Sequence, residues 1–359
     1  MKVAVLLHWN EGEKSGVFKK VVTQIRMWSS QGISVSLHLV SRNFLLDVWQ
    51  RHLKEIPMTF HHYNCNPITR IRAWRQAVKA VKAQRPNIVY HRYDLYMPAL
   101  QSLFRTFPLI LEINTNDLRE YCLTKGLRCW YNRFTRALLL RGAAGLVFVT
   151  HELAGLPCFA RYRKPFVIIA NGISLDDYPL LPPPNNDEPR LIFLGTDGQP
   201  WHGVDKVIRM AKHFPQWRFD IVGIRRERLN QVPHNVSVHG PRDRLAYEPL
   251  LAQADVAIGT LALHRKGMNE ACSLKVREYL AYGLPVIIGH KDTDFPRGAP
   301  FILELPNTED NVESNIAKIE DFVYRWKGQR VPRNSISHID IQVKESQRLA
   351  FFRNMLGMR

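Results

Sequence analysis

Glu270 and Glu278 flank a short run with the makings of an anion site, with Ser273 and Lys275 between them. Residues 267–288 read GMNEACSLKVREYLAYGLPVII: a loop, a helix-forming run that stops at Gly283, and an apolar strand entered through Pro285. Ser273 is placed to cap the helix start. The unpaired N–H groups and the positive end of the helix dipole there suit a phosphate. Lys275, in the first turn, adds a mobile positive charge. Glu278 lies about one turn further in, on a face that can look back at the same ligand. Two glutamates at this spacing, taken alone, are a weak signal, because many chains carry such a pair by chance.

The elements around this segment must position it. Apolar runs of strand length recur at 3–7, 33–40, 87–90, 109–113, 146–149 and 166–170, and again at 191–194, 219–222, 236–238, 256–258, 286–288 and 301–303. Continuous rather than alternating runs are expected of parallel strands covered on both faces. Helical patterns at 17–31, 70–84, 204–213, 245–253 and 273–282 alternate with them, which predicts a doubly wound α/β architecture. Residues 178–187, YPLLPPPNND, are Pro-rich and aperiodic and read as a linker. The expected division is an N-terminal domain over 1–178, a linker over 179–189, a C-terminal domain over 190–335, and a last helix over 336–359 packing back on the N-terminal domain. α/β sheets bind ligands at the carboxyl ends of their strands.

With its context, the segment resembles the Glu-x7-Glu signature of retaining glycosyltransferases of family 4, where it runs on into a sequence like Ala-Tyr-Gly-Leu-Pro-Val-Ile. Similar family features follow in order over nearly the whole chain. They are Pro86-Asn87-Ile88-Val89-Tyr90, Ile168-Ile169-Ala170-Asn171-Gly172-Ile173, Phe193-Leu194-Gly195 with Trp201-His202-Gly203-Val204, Asp220-Ile221-Val222-Gly223, Val238-His239-Gly240, and the strand at 252–258. The resemblance implies the GT-B fold, two Rossmann-like doubly wound domains facing across a cleft. It gives Glu270 the donor-sugar hydroxyls and the catalytic role, and Glu278 the ribose of the nucleotide. Cys272, Ser273, Leu274, Lys275, His202, Gly195, Gly223, His239 and Arg265 complete the implied donor site. On the acceptor side it implies Asn10, Gly16 and Arg92.

The sequence departs from the family in two places. The loop at 195–202 offers His202 where a lysine is usual and has no arginine, so the diphosphate clamp rests on Lys275, with Arg265 or Lys266 beside it. Many members place a histidine after the fourth strand. Here stand Glu112-Ile113-Asn114-Thr115-Asn116-Asp117, which leaves the polar group open between Glu112, Asn114 and Asp117. The implied reaction retains the anomeric configuration without a metal: an oxocarbenium-like centre forms as the diphosphate leaves, and electrostatic stabilisation and positioning are the protein's task. No cofactor is expected, the nucleotide diphosphate sugar being a co-substrate. Asp292-Thr293-Asp294 resembles the metal-binding motif of the other large glycosyltransferase fold, but it follows a late strand in a loop. His61-His62 and the other histidines form no ligand set, so no metal site is assigned.

Composition sets the remaining bounds. The chain has 359 residues, 45% hydrophobic and 23% charged, as a folded two-domain protein would. The first apolar run is too short for a signal peptide, and no run approaches a membrane span. Five cysteines without a C-x-x-C pair read as reduced, cytoplasmic thiols. The net charge is +18, and residues 1–180 hold 25 Lys+Arg against 11 Asp+Glu, while 181–359 hold 25 against 21. A basic first half points to an anionic partner, nucleic acid or membrane. Two stretches there interleave apolar and basic residues: Ile68, Ile71, Trp74, Val78 and Val81 with Arg70, Arg75, Lys79 and Lys82, and Leu127, Trp130, Tyr131, Phe134 and Leu138 with Arg128, Arg133, Arg136 and Arg141. They are either ordinary surface helices with their aromatics facing the core, or an interface to the inner face of an anionic membrane near a lipid-linked acceptor. Enzymes of envelope polysaccharide, lipopolysaccharide or capsule assembly often look like this. Two other readings compete with transfer to a saccharide or lipid-linked acceptor. One is a nucleotide-sugar epimerase or hydrolase of the same fold, whose members lack Glu-x7-Glu. The other is a nucleic-acid-binding protein, for which no motif is present.

Overall fold

The apolar runs become parallel strands. In the computed structural model, which describes residues 1–13, 15–121 and 126–358, the chain forms two units, Met1–Ala170 with Ile341–Arg359, and Asn171–Asp340. Cys122 lies outside the described residues.

Unit 1 is built on β1 (Lys2–His8), β2 (Ser34–Ser41), β3 (Met58–His62), β4 (Ile88–Arg92), β5 (Leu109–Ile113), β6 (Gly145–Phe148) and β7 (Phe166–Ile168). All pair in parallel, in the order β3-β2-β1-β4-β5-β6-β7. The connections hold α1 (Gly16–Ser30), α2 (Leu46–His52), α3 (Pro67–Gln84), α4 (Gln101–Phe104), α5 (Asp117–Glu120), α6 (Leu127–Gly142), α7 (His151–Gly155) and α8 (Pro157–Ala160). The edge strand β3 is an addition to the sequence expectation. Its residues Met58–Phe60 are only half-buried, so no continuous apolar run announces it.

Unit 2 repeats the plan. Its strands are β8 (Arg190–Leu194), β9 (Arg218–Val222), β10 (Val236–Gly240), β11 (Val256–Ile258), β12 (Glu270–Ala271), β13 (Val286–Ile288), β14 (Lys291–Asp292) and β15 (Ile302–Glu304). Six form a parallel sheet in the order β10-β9-β8-β11-β13-β15, and β12 pairs with β14 apart from it. Its helices are α9 (Val204–His213), α10 (Arg244–Gln253), α11 (Leu274–Ala281) and α12 (Ile316–Trp326).

The final helix, α13 (Ile341–Met355), belongs to unit 1. Trp28 of α1 packs edge-on against Phe352 and Tyr90, and its indole N–H donates to Glu345 at 2.8 Å. Arg348 donates to the same carboxylate at 2.8 Å and to the Tyr90 hydroxyl at 2.9 Å. A buried ion pair so hydrogen-bonded fixes the seat of α13 more than it adds net stability. The two basic-aromatic helices differ. α3 turns Trp74, Val78 and Val81 into the core, whereas Leu127, Trp130, Tyr131, Phe134 and Leu138 of α6 face outward.

Candidate functional site

In each sheet the chain reverses its direction of growth at one point, between β1 and β4 in unit 1 and between β8 and β11 in unit 2. The connections leaving such neighbours part to opposite faces and open a crevice at the strands' carboxyl ends. Many of the candidate residues are placed by one of these two points or by the helix starts beside them.

In unit 2 the loop after β8 is held against the loop after β11, with Leu261 N–H donating to His202 O and Ala262 N–H to Trp201 O, both at 3.2 Å. Gly195 and Gly223 meet at the strand ends. Gly223 has φ +87°, and a Cβ on it would stand 2.3 Å from Gly195 O, so only glycine lets the two backbones approach this closely.

α11 starts as the sequence predicts and stops at Gly283, whose φ is +85°. Ser273 occupies the cap position, but its side chain makes no capping hydrogen bond. The first-turn amides of any helix lack intrahelical acceptors. Beside them the Lys275 ammonium is closed off from solvent with no hydrogen-bond partner, 4.7 Å from the centre of the Phe193 ring. Burial alone pushes it down to about 7. His202 Nδ1 is likewise buried and unpartnered, and burial, with Lys275 and Lys266 nearby, drives that imidazole down to about 2, so it is neutral. A desolvated cation beside a neutral imidazole and open helix amides is an arrangement completed by an anion.

Glu278, one turn on, accepts from the Tyr247 hydroxyl at 2.6 Å. Its neighbour Tyr279 locks the helix to the sheet, donating to Ile258 O at 3.2 Å and accepting from Leu194 N–H at 2.7 Å. Glu270 sits on β12, half-buried. The loop from β12 into α11 is fastened by Asn171, whose side chain donates to Cys272 O at 2.8 Å and whose N–H reaches Cys272 Sγ at 3.3 Å. Leu274 opens the helix half-buried. Arg277 is fully buried, donates to Asn171 O, and is clamped by Asp292 at 2.7 and 2.8 Å and by Asp294 at 3.0 Å. These two aspartates, the pair in Asp292-Thr293-Asp294, therefore serve as counter-charges to the signature helix.

Two other expected donor contacts are already engaged. Arg265 spans Asp205, at 2.8 Å through two nitrogens, and Glu309, so its charge is neutralised within the protein. His239 Nε2 is 2.7 Å from Asp220 Oδ1, which places the ring on the sheet and leaves the backbone around Gly240 at the strand end.

Unit 1 has a pocket of about 260 Å³ at its own reversal point, lined by residues following β1, β4 and β5. Asn10, Arg92, Asn114 and Asp117 line it. Asn10 also braces the exit of β2, its side chain accepting from Arg42 N–H at 2.7 Å, and Gly16 is the exposed first residue of α1. The three carboxyl-side candidates separate. Glu112 is buried and taken up by Lys20 and by Tyr90 at 2.8 Å. Burial opposes its charge, yet Lys20, Arg348 and Arg92 hold it far below the usual carboxylate range. Asp117 is buried under a two-nitrogen clamp from Arg136 at 2.7 and 2.9 Å, with Asn132 at 2.6 Å and Tyr93 at 3.0 Å. Asn114 keeps the more open position, accepting from Lys20 at 3.3 Å. A pair that the sequence reading missed stands at the same mouth. His8, ending β1, bonds Asp94, which also accepts from Tyr121 at 3.0 Å. Burial would raise Asp94, but His8, the Leu95 amide and Arg70 hold it low. Their separation of 86 positions in sequence hid them.

Comparison with known proteins fits this geometry. Residues 188–312 match the model of the family described as glycosyl transferases group 1. Over that region the chain is similar to a group 1 glycosyltransferase domain. The region spans the whole of the Gly195, Lys275 and Glu278 arrangement. The chain is similar in structure to sucrose-phosphate synthase from Thermosynechococcus elongatus, with a TM-score of 0.72, 14% identity, and 99% of each chain covered. It is also similar to a glycosyltransferase from Rickettsia africae (TM-score 0.68, 12% identity, 99% of this chain and 98% of that one). A third, Anabaena Alr3699/HepE in complex with UDP, gives a TM-score of 0.66 at 15% identity, with 98% of each chain covered. No curated protein matches the sequence. Two parallel-sheet Rossmann-like units, matched by these structures over nearly the full length, make the fold GT-B.

Proposed function

We propose that this protein is a retaining glycosyltransferase of family 4, independent of metal, which moves a sugar from a nucleoside diphosphate sugar to a polysaccharide or lipid-linked saccharide. The observation that carries this reading is the Lys275 ammonium, buried without a hydrogen-bond partner at the start of α11, inside the region that matches the group 1 glycosyltransferase model. It has the charge and surroundings to take a diphosphate, with the helix amides as donors and Gly195 and Gly223 admitting the nucleotide to the strand ends.

Glu278, set by Tyr247, takes the ribose hydroxyls, and Glu270 takes hydroxyls of the sugar. The bond from the anomeric carbon to the phosphate oxygen breaks as charge builds on the diphosphate. Lys275 stabilises that charge. The acceptor hydroxyl attacks from the same face, and its proton passes to the leaving phosphate; Asn10, Arg92 and Asn114 of unit 1 are assigned to the acceptor saccharide. Lys275 and the amides supply the charge stabilisation a metal gives elsewhere. Because the Anabaena structure holds UDP, uridine nucleotides are the first donors to try.

The test is thermal unfolding against a panel of nucleoside diphosphates and their sugars, with Lys275→Met as control. A ligand bound only by the native state raises the midpoint by mass action. The expected result is a rise with one nucleotide class that Lys275→Met abolishes. An equal rise in wild type and Lys275→Met would remove the diphosphate assignment.

A further inference from the structure

We infer that the outward face of α6 docks unit 1 on an anionic lipid bilayer. An ordinary surface helix turns its apolar stripe inward. α6 does the reverse: Leu127 is 88% exposed, Phe134 74% and Trp130 60%, with Tyr131 and Leu138 also exposed. At about 100° per residue these five side chains share an arc of about 100°. Arg128 and Arg133 fall on either side of that arc, and Arg141 at its end, all three exposed. The opposite face carries Asn132, Arg136, Leu139 and Leu140, all buried. Arg136 and Asn132 hold Asp117, so the helix is fixed in this orientation by its polar side. Trp130 and Phe134 stack on each other with centroids 6.1 Å apart, a ready-made aromatic plate.

The charge of the molecule chooses the occupant. Unit 1 holds 29 Lys+Arg against 10 Asp+Glu, whereas unit 2 holds 21 against 22. The whole excess of positive charge thus lies in the unit that bears the exposed stripe. Ile68 and Ile71 of α3, also exposed, flank Arg70, whose charge bears on Tyr131 of α6 and so lies close to it. A stripe of Trp, Phe and Leu bordered by arginines matches the headgroup and acyl boundary of an anionic leaflet, with rings in the interface and guanidinium groups on the phosphates. Nucleic acid would use the arginines but give Leu127 and Leu138 nothing to bury against. Among the described residues no helix is long and apolar enough to cross a membrane, so attachment by this face is reversible.

This inference is independent of the transfer chemistry, and its test contains no nucleotide sugar. The full chain is floated with vesicles of phosphatidylcholine alone or with phosphatidylglycerol, at low and high salt. Two variants accompany it, Trp130→Ser with Phe134→Ser, and Arg133→Gln with Arg141→Gln. All four positions are exposed, and unchanged circular dichroism and unfolding midpoints confirm the fold. Wild type should float only with anionic vesicles and less at high salt. The apolar-face variant should bind at least about 10-fold more weakly, and the arginine variant about five-fold more weakly per charge removed. No flotation of wild type, or equal flotation of wild type and apolar-face variant, overturns the proposal. So does a concentration-dependent dimer abolished by Trp130→Ser with Phe134→Ser, which would make the face a contact between copies. Salt-sensitive binding of duplex DNA that survives the apolar-face change, without vesicle binding, would make nucleic acid the partner.

Discussion

The two units bury their charges in opposite ways. In unit 1 every buried carboxylate near the reversal point has its cation: Glu112 has Lys20, and Asp117 has Arg136. In unit 2 the signature helix carries two buried cations with different fates. Arg277 is neutralised by Asp292 and Asp294, and Lys275, two residues earlier, has no partner. Burying a charge is costly unless something compensates it. A fold that neutralises Arg277 and leaves the Lys275 ammonium without a hydrogen-bond partner is what the proposed diphosphate site requires.

Removing one member of a paired site should give the largest effect. Asp117→Ala leaves Arg136 buried without its counter-charge, and should lower unfolding stability by about 3–5 kcal/mol, read by denaturant titration. A loss below about 1 kcal/mol would mean Arg136 finds water or another partner, and the contrast between the units would fail. Lys275→Met should behave inversely. It removes an uncompensated charge, so stability should hold or rise, while kcat/KM with the donor should fall about 10²–10³-fold, as when one donor to a developing anion is lost.

A smaller effect distinguishes the two glutamates. Glu278→Ala should weaken nucleotide binding by about 10-fold, a hydrogen-bonded charge being worth about 1.5 kcal/mol or more. Tyr247→Phe keeps the carboxylate and loses only its 2.6 Å hydrogen bond, and should fall between wild type and Glu278→Ala. Glu270→Ala should lower kcat with nucleotide affinity little changed. Equal effects of the two alanine changes on binding and turnover, measured by calorimetry and initial rates, would dissolve the division of roles.

The contrast could be read only in part from the sequence. Continuous apolar runs such as those in β1, β5 and β13 announced buried parallel strands, and the run from Ser273 to Gly283 announced a helix with both of its ends. Short-range signals sufficed there because strand and helix periodicity are local. β3 escaped because an edge strand half-covered by its neighbours has no continuous run. Pairing was illegible wherever the partners are distant in sequence: Lys20 with Glu112, His8 with Asp94, and Arg348 brought to Tyr90 from the last helix. That is why Glu112 and Asp117 could be named as polar candidates without any sign that both are neutralised. α6 shows the same limit differently. Its apolar spacing gave a stripe, but the stripe alone could not say which way it faces, since the polar side is pinned inward by Asp117.

A pH-dependent effect follows from titration of Lys275. In the unfolded chain this lysine titrates near its ordinary value of 10.5, and in the folded protein at about 7. Between those two values the unfolded state binds the extra proton, so the cost of burying this charge is full below about 7 and is relieved as pH rises from about 7 to 10.5, making stability rise with pH across that interval. A diphosphate requires the protonated form, so nucleotide affinity should fall across the same interval. The two trends run in opposite directions from one group, and both should vanish in Lys275→Met while other pH effects persist. Unfolding midpoints and nucleotide affinities measured at matched pH steps separate this from general titration. A wild-type pH profile that parallels the variant's would show that Lys275 remains protonated, and hence that some partner within unit 2 neutralises it as Asp292 and Asp294 do Arg277.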